Sequence, residues 1–338
     1  MSNRWPGGII RKTPVTPAGP NQNGAASGVW SLADAAYWKK QGLWPIAGFV
    51  DGTFAVFALG FTSARSTTRD KYTYSGCVVG AATAATVASC GGSAAGNSAA
   101  GIFALGCVAA SPFTTRNKYT YVGCVVSAGG AATAATAYGS AAGNSTVGIF
   151  ALGYNFGVVS TTRDKYTYSG CVVSSGGAAT AASVNGSAAG NSTVGIFALG
   201  FTTASVTTRN KYTYSGCVVS AGGAATAASQ LGSAAGNSTV GIFALGNTGA
   251  TSTTRNKYTY SGDVVSAGGA ATVATQSGSA AGNSTIGIFA LGGTTGCVPS
   301  TTRDKYTYSG CVVSVGAAAT VASRSGSAAS NGTTGVNI

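Results

Sequence analysis

The tetrapeptide KYTY begins at residues 71, 118, 165, 211, 257 and 305, so the chain is written in units of 46 to 48 residues. A period of that size marks a repeat architecture, in which each unit buries its apolar surface only against its neighbours. Every unit carries four landmarks in one order. They are GSAA[GS]N, as at Gly92 to Asn97; GIFALG, as at Gly101 to Gly106; TTR[DN]KYTY; and a Val-Val run such as Val78 and Val79.

GIFALG is a short apolar run bounded by glycine, the mark of a strand covered on both faces. KYTYS alternates, with Tyr72 and Tyr74 on one side and Lys71 and Thr73 on the other, the period of a strand. Val-Val is β-branched and suits a strand as well. The Ala-rich stretch from Ala81 is ambiguous by propensity, but flanking glycines and interleaved threonines weigh against a helix. Four strands per unit, six times over, predict an all-β chain folded as a six-bladed β-propeller. Blades are wedges, and with GSAA innermost the side chains grow outward through Ile, Phe and Leu to Tyr, as close packing of a wedge requires. The ends fit together too. The first GIFALG-like strand, near Ala55 to Gly60, has no GSAAGN before it, and the chain closes with a GSAASN at Gly326 to Asn331 that has no GIFALG after it. Pairing the two closes a ring and removes its open edges.

The repeats resemble the kelch-like repeats of bacterial and phage propellers, on the LG…TTRDKYTYS pattern from about Phe49 to Ile338. They differ from kelch in having no tryptophan and a double glycine after the Leu only at Gly292 and Gly293.

All four tryptophans, Trp5, Trp30, Trp38 and Trp44, precede the repeats. Residues 1–25, rich in Pro, Gly and Asn, are expected to form an extended arm. Residues 26–48 hold a short helix: Ser31 caps it, Asp34 suits its first turn and Gly42 ends it. The stretch ASGVWSLADAAYWKKQGLWP, Ala26 to Pro45, with MSNRWPGG ahead of it, resembles a module near the start of many tailed-bacteriophage virion proteins. The resemblance implies attachment to a phage particle, with the tryptophans as anchor and other virion proteins as partners. The remainder, residues 49–338, is the propeller.

Composition narrows the chemistry. Histidine and glutamate are absent, and the six acids are Asp34, Asp51, Asp70, Asp164, Asp263 and Asp304. A Ser/His/Asp triad, a Cys/His pair and an HExxH site are therefore impossible. Two aspartates would suffice for a glycosidase, but Asp70, Asp164 and Asp304 share a repeat position with Asn117, Asn210 and Asn256. That interchange suits hydrogen bonding, so no enzyme and no cofactor or metal is expected. The net charge of +13 raises nucleic acid as a partner. However, twelve of the 19 basic residues are repeated Arg/Lys pairs such as Arg69 and Lys71, spread evenly over the units. They read as a solvated strand edge that discourages pairing, with no nucleic-acid groove. No apolar run is long enough for a membrane helix, so no membrane insertion is expected.

Cys77, Cys124, Cys171, Cys217 and Cys311 share a repeat position that Asp263 takes in the fifth copy. Equivalent points on neighbouring blades are too far apart for a disulfide, which predicts reduced thiols and assembly in a host cytoplasm before residence in the virion. Cys90, Cys107 and Cys297 lie outside that pattern, and a Cys297–Cys311 bridge stays open.

Two of the four connections per unit barely change between copies, and two vary in length and composition. In an up-and-down blade the variable pair emerges on one side. That face carries Phe61, Phe113, Tyr138, Tyr154, Phe156, Phe201 and Leu231, candidates for stacking on a host-surface glycan or anchoring a host protein. The expected function is a virion appendage such as a tail fibre, in multiple copies. The competing expectations are a capsid-decorating or tail-lattice protein and a bacterial kelch-like scaffold.

Overall fold

The computed structural model describes residues 53–108 and 111–332, together with Ala33, Asp34 and Tyr37. The chain divides into two units at Asp51/Gly52. Of the first, the three described residues are helical and exposed, at positions within the expected helix. Trp5, Trp30, Trp38, Trp44 and the expected arm lie outside the described residues.

The second unit is a six-bladed β-propeller. Each blade is a four-stranded antiparallel sheet whose strands follow one another from axis to rim. In blade 2 these are Ser93–Gly96, Ala100–Ala104, Arg116–Thr120 and Val125–Ala128. Blades 3 to 6 repeat the arrangement, with inner strands at Ser140–Gly143, Ser187–Gly190, Ser233–Gly236 and Ser279–Gly282. Blade 1 joins the two ends of the ring: Ser327–Ser330 is its inner strand and pairs with Phe54–Ala58, Val56 opposite Ala329 and Phe57 opposite Ala328. The expected closure is thus present. Asn331 strengthens it by accepting the Phe54 N–H at 3.0 Å.

The size gradient explains the packing. Inner strands are Ser, Ala and Gly, all buried, because six strands converge on the axis and leave no room for larger groups. Ile102 and Phe103 fill the next layer and Tyr119 and Tyr121 the third, with equivalents in every blade. Tyr121 extends inward to its own blade's paired glycines: a Cβ on Gly101 would lie 2.8 Å from its hydroxyl oxygen. A methyl group there would displace the ring, which is why GIFALG opens on glycine.

Between blades the structure corrects the sequence reading. The repeated arginines are not on a solvated edge; they are among the largest fully buried side chains of the ring. Arg69, Arg116, Arg163, Arg209, Arg255 and Arg303 each stack on the second-strand Phe of the next blade, 4.5 to 4.8 Å from ring centroid to guanidinium carbon. Each also donates to that blade's Asx residue, as Arg116 Nη2 does to Asp164 Oδ2 at 2.7 Å and Arg69 Nη2 to Asn117 Oδ1 at 3.1 Å. A threonine from the connection between the blades completes the clasp. Thr133 donates its hydroxyl to Asp164, whereas Asn117 donates its amide to the Thr86 hydroxyl. A hydroxyl serves in either direction, which is the physical reason Asp and Asn interchange here. The hydrogen-bonding role expected for this position is present, but it acts across blades.

With six cations sequestered in this way, the net charge overstates the charge offered to solvent. Burial pushes Arg69, Arg163 and Arg209 down to about 10. Arg116, Arg255 and Arg303 are also lowered by burial, and their Asp partners oppose the shift. The lysines behave differently, lying part-exposed at the blade boundary, where Lys211 pairs with Asp263 at 3.0 Å.

Candidate functional site

The two ends of the ring are built by different rules. At one end, an Asn follows each inner strand, and in blades 2 to 6 it folds an Asx turn: Asn144 Oδ1 accepts the N–H groups of Thr146 and Val147. Its Nδ2 donates to Ser192 O of the next blade at 3.1 Å, and Asn97, Asn191 and Asn237 do the same. The side chain itself holds this face together, so its identity is fixed from copy to copy.

At the other end the backbone holds the ring together. The residue before each GSAA adopts a left-handed conformation: Gly91, Tyr138, Asn185, Leu231, Ser277 and Ser325 have φ between 53° and 64°. Each donates its N–H to the carbonyl of its counterpart one blade back. Tyr138 bonds Gly91, Asn185 bonds Tyr138, Leu231 bonds Asn185, Ser277 bonds Leu231, Ser325 bonds Ser277 and Gly91 bonds Ser325, at 2.7 to 2.9 Å. The result is a closed collar around the axis. Below it the six glycine–serine pairs from Gly92–Ser93 to Gly326–Ser327 line an axial cavity of about 50 Å³.

Tyr138, Asn185 and Leu231 therefore lie together in one collar. Gly91, Ser277 and Ser325 were missed as its other members, although their signal was present: each directly precedes the repeated GSAA. Tyr138 is less available than expected. Its ring lies over Gly91, where a Cβ would come within 2.6 Å of it, and it packs with Cys90, Cys107 and Phe61. Burial pushes its hydroxyl up to about 12.

Around the collar, the connection between second and third strands in each blade bridges to the segment entering that blade. The bridged residues are Phe61 with Arg324, Cys90 with Cys107, Ala137 with Tyr154, Val184 with Phe201, Gln230 with Asn247 and Gln276 with Gly293. Phe61 and Phe201 are half-buried in these bridges. The Arg324 guanidinium covers Phe61, 4.9 Å from its centroid. Only Phe113, Tyr154 and Phe156 among the expected aromatics are open to solvent, at 41%, 36% and 68% exposure. Phe156 stands at the tip of the hairpin formed by Tyr154–Asn155 and Val158–Val159. It has φ 41° and is followed by Gly157 at φ 95°.

The repeat cysteines sit in the turn before each outer strand, in left-handed conformation, and all eight thiols are free. Where Asp263 replaces Cys, it accepts from Tyr258 at 2.7 Å as well as pairing with Lys211. Cys297 receives a bond from Gln276 Nε2 and is not bridged to Cys311. Among the described residues no group of three or more acidic or thiol side chains is placed to hold a metal ion. No described helix is long and apolar enough to cross a membrane. The chain matches no protein-family model and is similar to no curated protein.

Proposed function

We propose that this chain is a non-enzymatic structural protein of a bacteriophage virion, of the tail-fibre or appendage kind, whose kelch-like propeller presents its individual face to a host-surface glycan or protein. One observation carries the reading: the two ends of the ring differ in what they leave free. Where side chains form the joints, the copies agree; where the backbone forms them, the six collar positions carry five different residue types and the loops around them vary. Recognition on a rigid scaffold needs such freedom.

The tryptophan-rich opening, with its likeness to phage virion modules, supports attachment to a particle through other virion proteins. The absence of enzyme chemistry is supported by the clasps, since Asp70, Asp164 and Asp304 are each bonded to a buried arginine and a threonine. A protein lacking residues 1–48 is expected to keep the ring and lose incorporation into particles. Full-length Phe156→Ala with Tyr154→Ala is expected to keep the thermal midpoint and lose at least tenfold in host-cell adsorption. Incorporation without residues 1–48, or adsorption unchanged by the double substitution, would sink the reading.

A second reading, a decorating or tail lattice, is favoured by one feature. The first valine of each outer strand (Val78, Val125, Val172, Val218, Val264 and Val312) is 56 to 60% exposed on an unpaired edge. Six equal contacts around a rim would suit lateral packing of propellers. Charged substitutions at three of these valines would disrupt a lattice and leave recognition intact.

A further inference from the structure

We propose that Cys90 and Cys107 form a convertible dithiol, a modification site at which a small-molecule disulfide is exchanged for an internal disulfide that pins the recognition loop of blade 2. The two residues face each other directly across an antiparallel bridge, with Cys90 N–H donating to Cys107 O at 3.1 Å and Cys107 N–H to Cys90 O at 2.8 Å. A pair that exchanges both backbone bonds has its Cα atoms about 5.5 Å apart with side chains on one face of the ladder, inside the window for a disulfide. No other two of the eight cysteines are bridged in this way.

The surroundings favour the cross-link. Cys90 and Cys107 are both buried, in contact with Ala137, Phe61 and Tyr138, so an uncharged disulfide suits the pocket. At the equivalent bridges a cation covers a ring (Arg324, Phe61), an aliphatic group meets a ring (Val184, Phe201) and one amide opposes another (Gln230, Asn247). Two sulfurs at the same kind of bridge form the corresponding match.

The exchange balances with a small disulfide such as oxidised glutathione as the oxidant. One cysteine, as thiolate, attacks it, forming a mixed disulfide and releasing one glutathione thiol. The other cysteine loses its proton and attacks the protein sulfur of the mixed disulfide, releasing the second glutathione. The cysteine pair gives up two electrons and two protons, and one disulfide becomes two thiols. Burial pushes the Cys107 thiol up, so exchange is faster in mildly alkaline buffer. The bond ties the segment leaving blade 1 to the loop between the second and third strands of blade 2.

The test uses the full chain, exposed to oxidised glutathione while folded and, separately, refolded in a glutathione redox buffer where access is not limiting. Free thiols are expected to fall from eight to six in the refolded sample, and more slowly in the folded one. Peptide mapping should find a 90–107 cross-link that a dithiol reductant reverses. Cys90→Ser should fold and show no intramolecular cross-link. Eight thiols persisting in both samples, a cross-link between other cysteines, or glutathione carried on Cys297 alone would each overturn the proposal.

Discussion

Arg303 lies 2.7 Å from Asp70, although 233 residues separate them in the chain. This pair does at the seam what the five other clasps do between consecutive blades, so the ring closes through its third strands as well as its first. Asp70 also accepts from both the backbone and the hydroxyl of Thr320, leaving its carboxylate fully occupied.

Asp70→Ala strands a buried guanidinium without its partner and is expected to cost roughly 3–5 kcal/mol. Asp70→Asn reproduces the clasp that the ring already uses at Asn117, Asn210 and Asn256, and should cost no more than about 1.5 kcal/mol. Urea unfolding of the two variants gives the comparison; equal losses would contradict the interchange.

Ending the chain before Ser327 removes the inner strand of blade 1 and exposes the edge of Phe54–Ala58. An unpaired buried strand is a template for other chains. The truncated protein is therefore expected to self-associate and to melt at lower temperature, which light scattering and thermal melts would detect. A monomer of unchanged midpoint would show that closure adds nothing.

Tyr121, Tyr168, Tyr214 and Tyr260 bury hydroxyls that meet no hydrogen-bonding partner in the protein. Phe at any one of them keeps the ring packing and removes an unsatisfied polar atom, so Tyr168→Phe should leave stability within about 1 kcal/mol or raise it. Tyr258→Phe differs, because it breaks the bond to Asp263, and should be the more damaging of the two.

Twelve tyrosines, two per blade, are raised by burial. Below the ordinary tyrosine range both folded and unfolded chains hold these protons, and pH has no effect through them. Above about pH 10 the unfolded chain releases protons that the fold retains, so stability falls as pH rises. The arginines lowered to about 10 act in the opposite sense over the same window, but they are fewer. Alkaline titration should therefore show tyrosinate absorbance appearing together with loss of β-sheet dichroism. Ionisation of these twelve tyrosines, out of fifteen in the chain, in a fully folded ring would contradict the assignment.

The blade count, strand order, closure and division into a constant and a variable face were legible in the sequence, because a repeat reports its geometry through what recurs and what does not. Arg69 was misread for a definite reason. A cation on a strand reads as solvated unless its stacking partner, Phe103, and its acceptor, Asn117, are known to lie in the neighbouring blade, and strand pattern within one unit is silent about both. The collar was half visible: Tyr138, Asn185 and Leu231 drew attention as variable residues, but a ring of peptide bonds leaves no trace in side-chain identity beyond the glycine that follows. Phe61 and Phe201 were expected to be displayed, yet bridging to Arg324 and Val184 turns them into supports for the face.

The collar asks of its six residues a backbone twist and very little else. Gly91 apart, where the Tyr138 ring leaves no room for a Cβ, their side chains can therefore be exchanged one at a time without altering the curvature of the ring, so the entrance to the axis is open to rewriting while the scaffold stays as it is. A lineage carrying this chain would be able to change what it touches there far faster than how it folds.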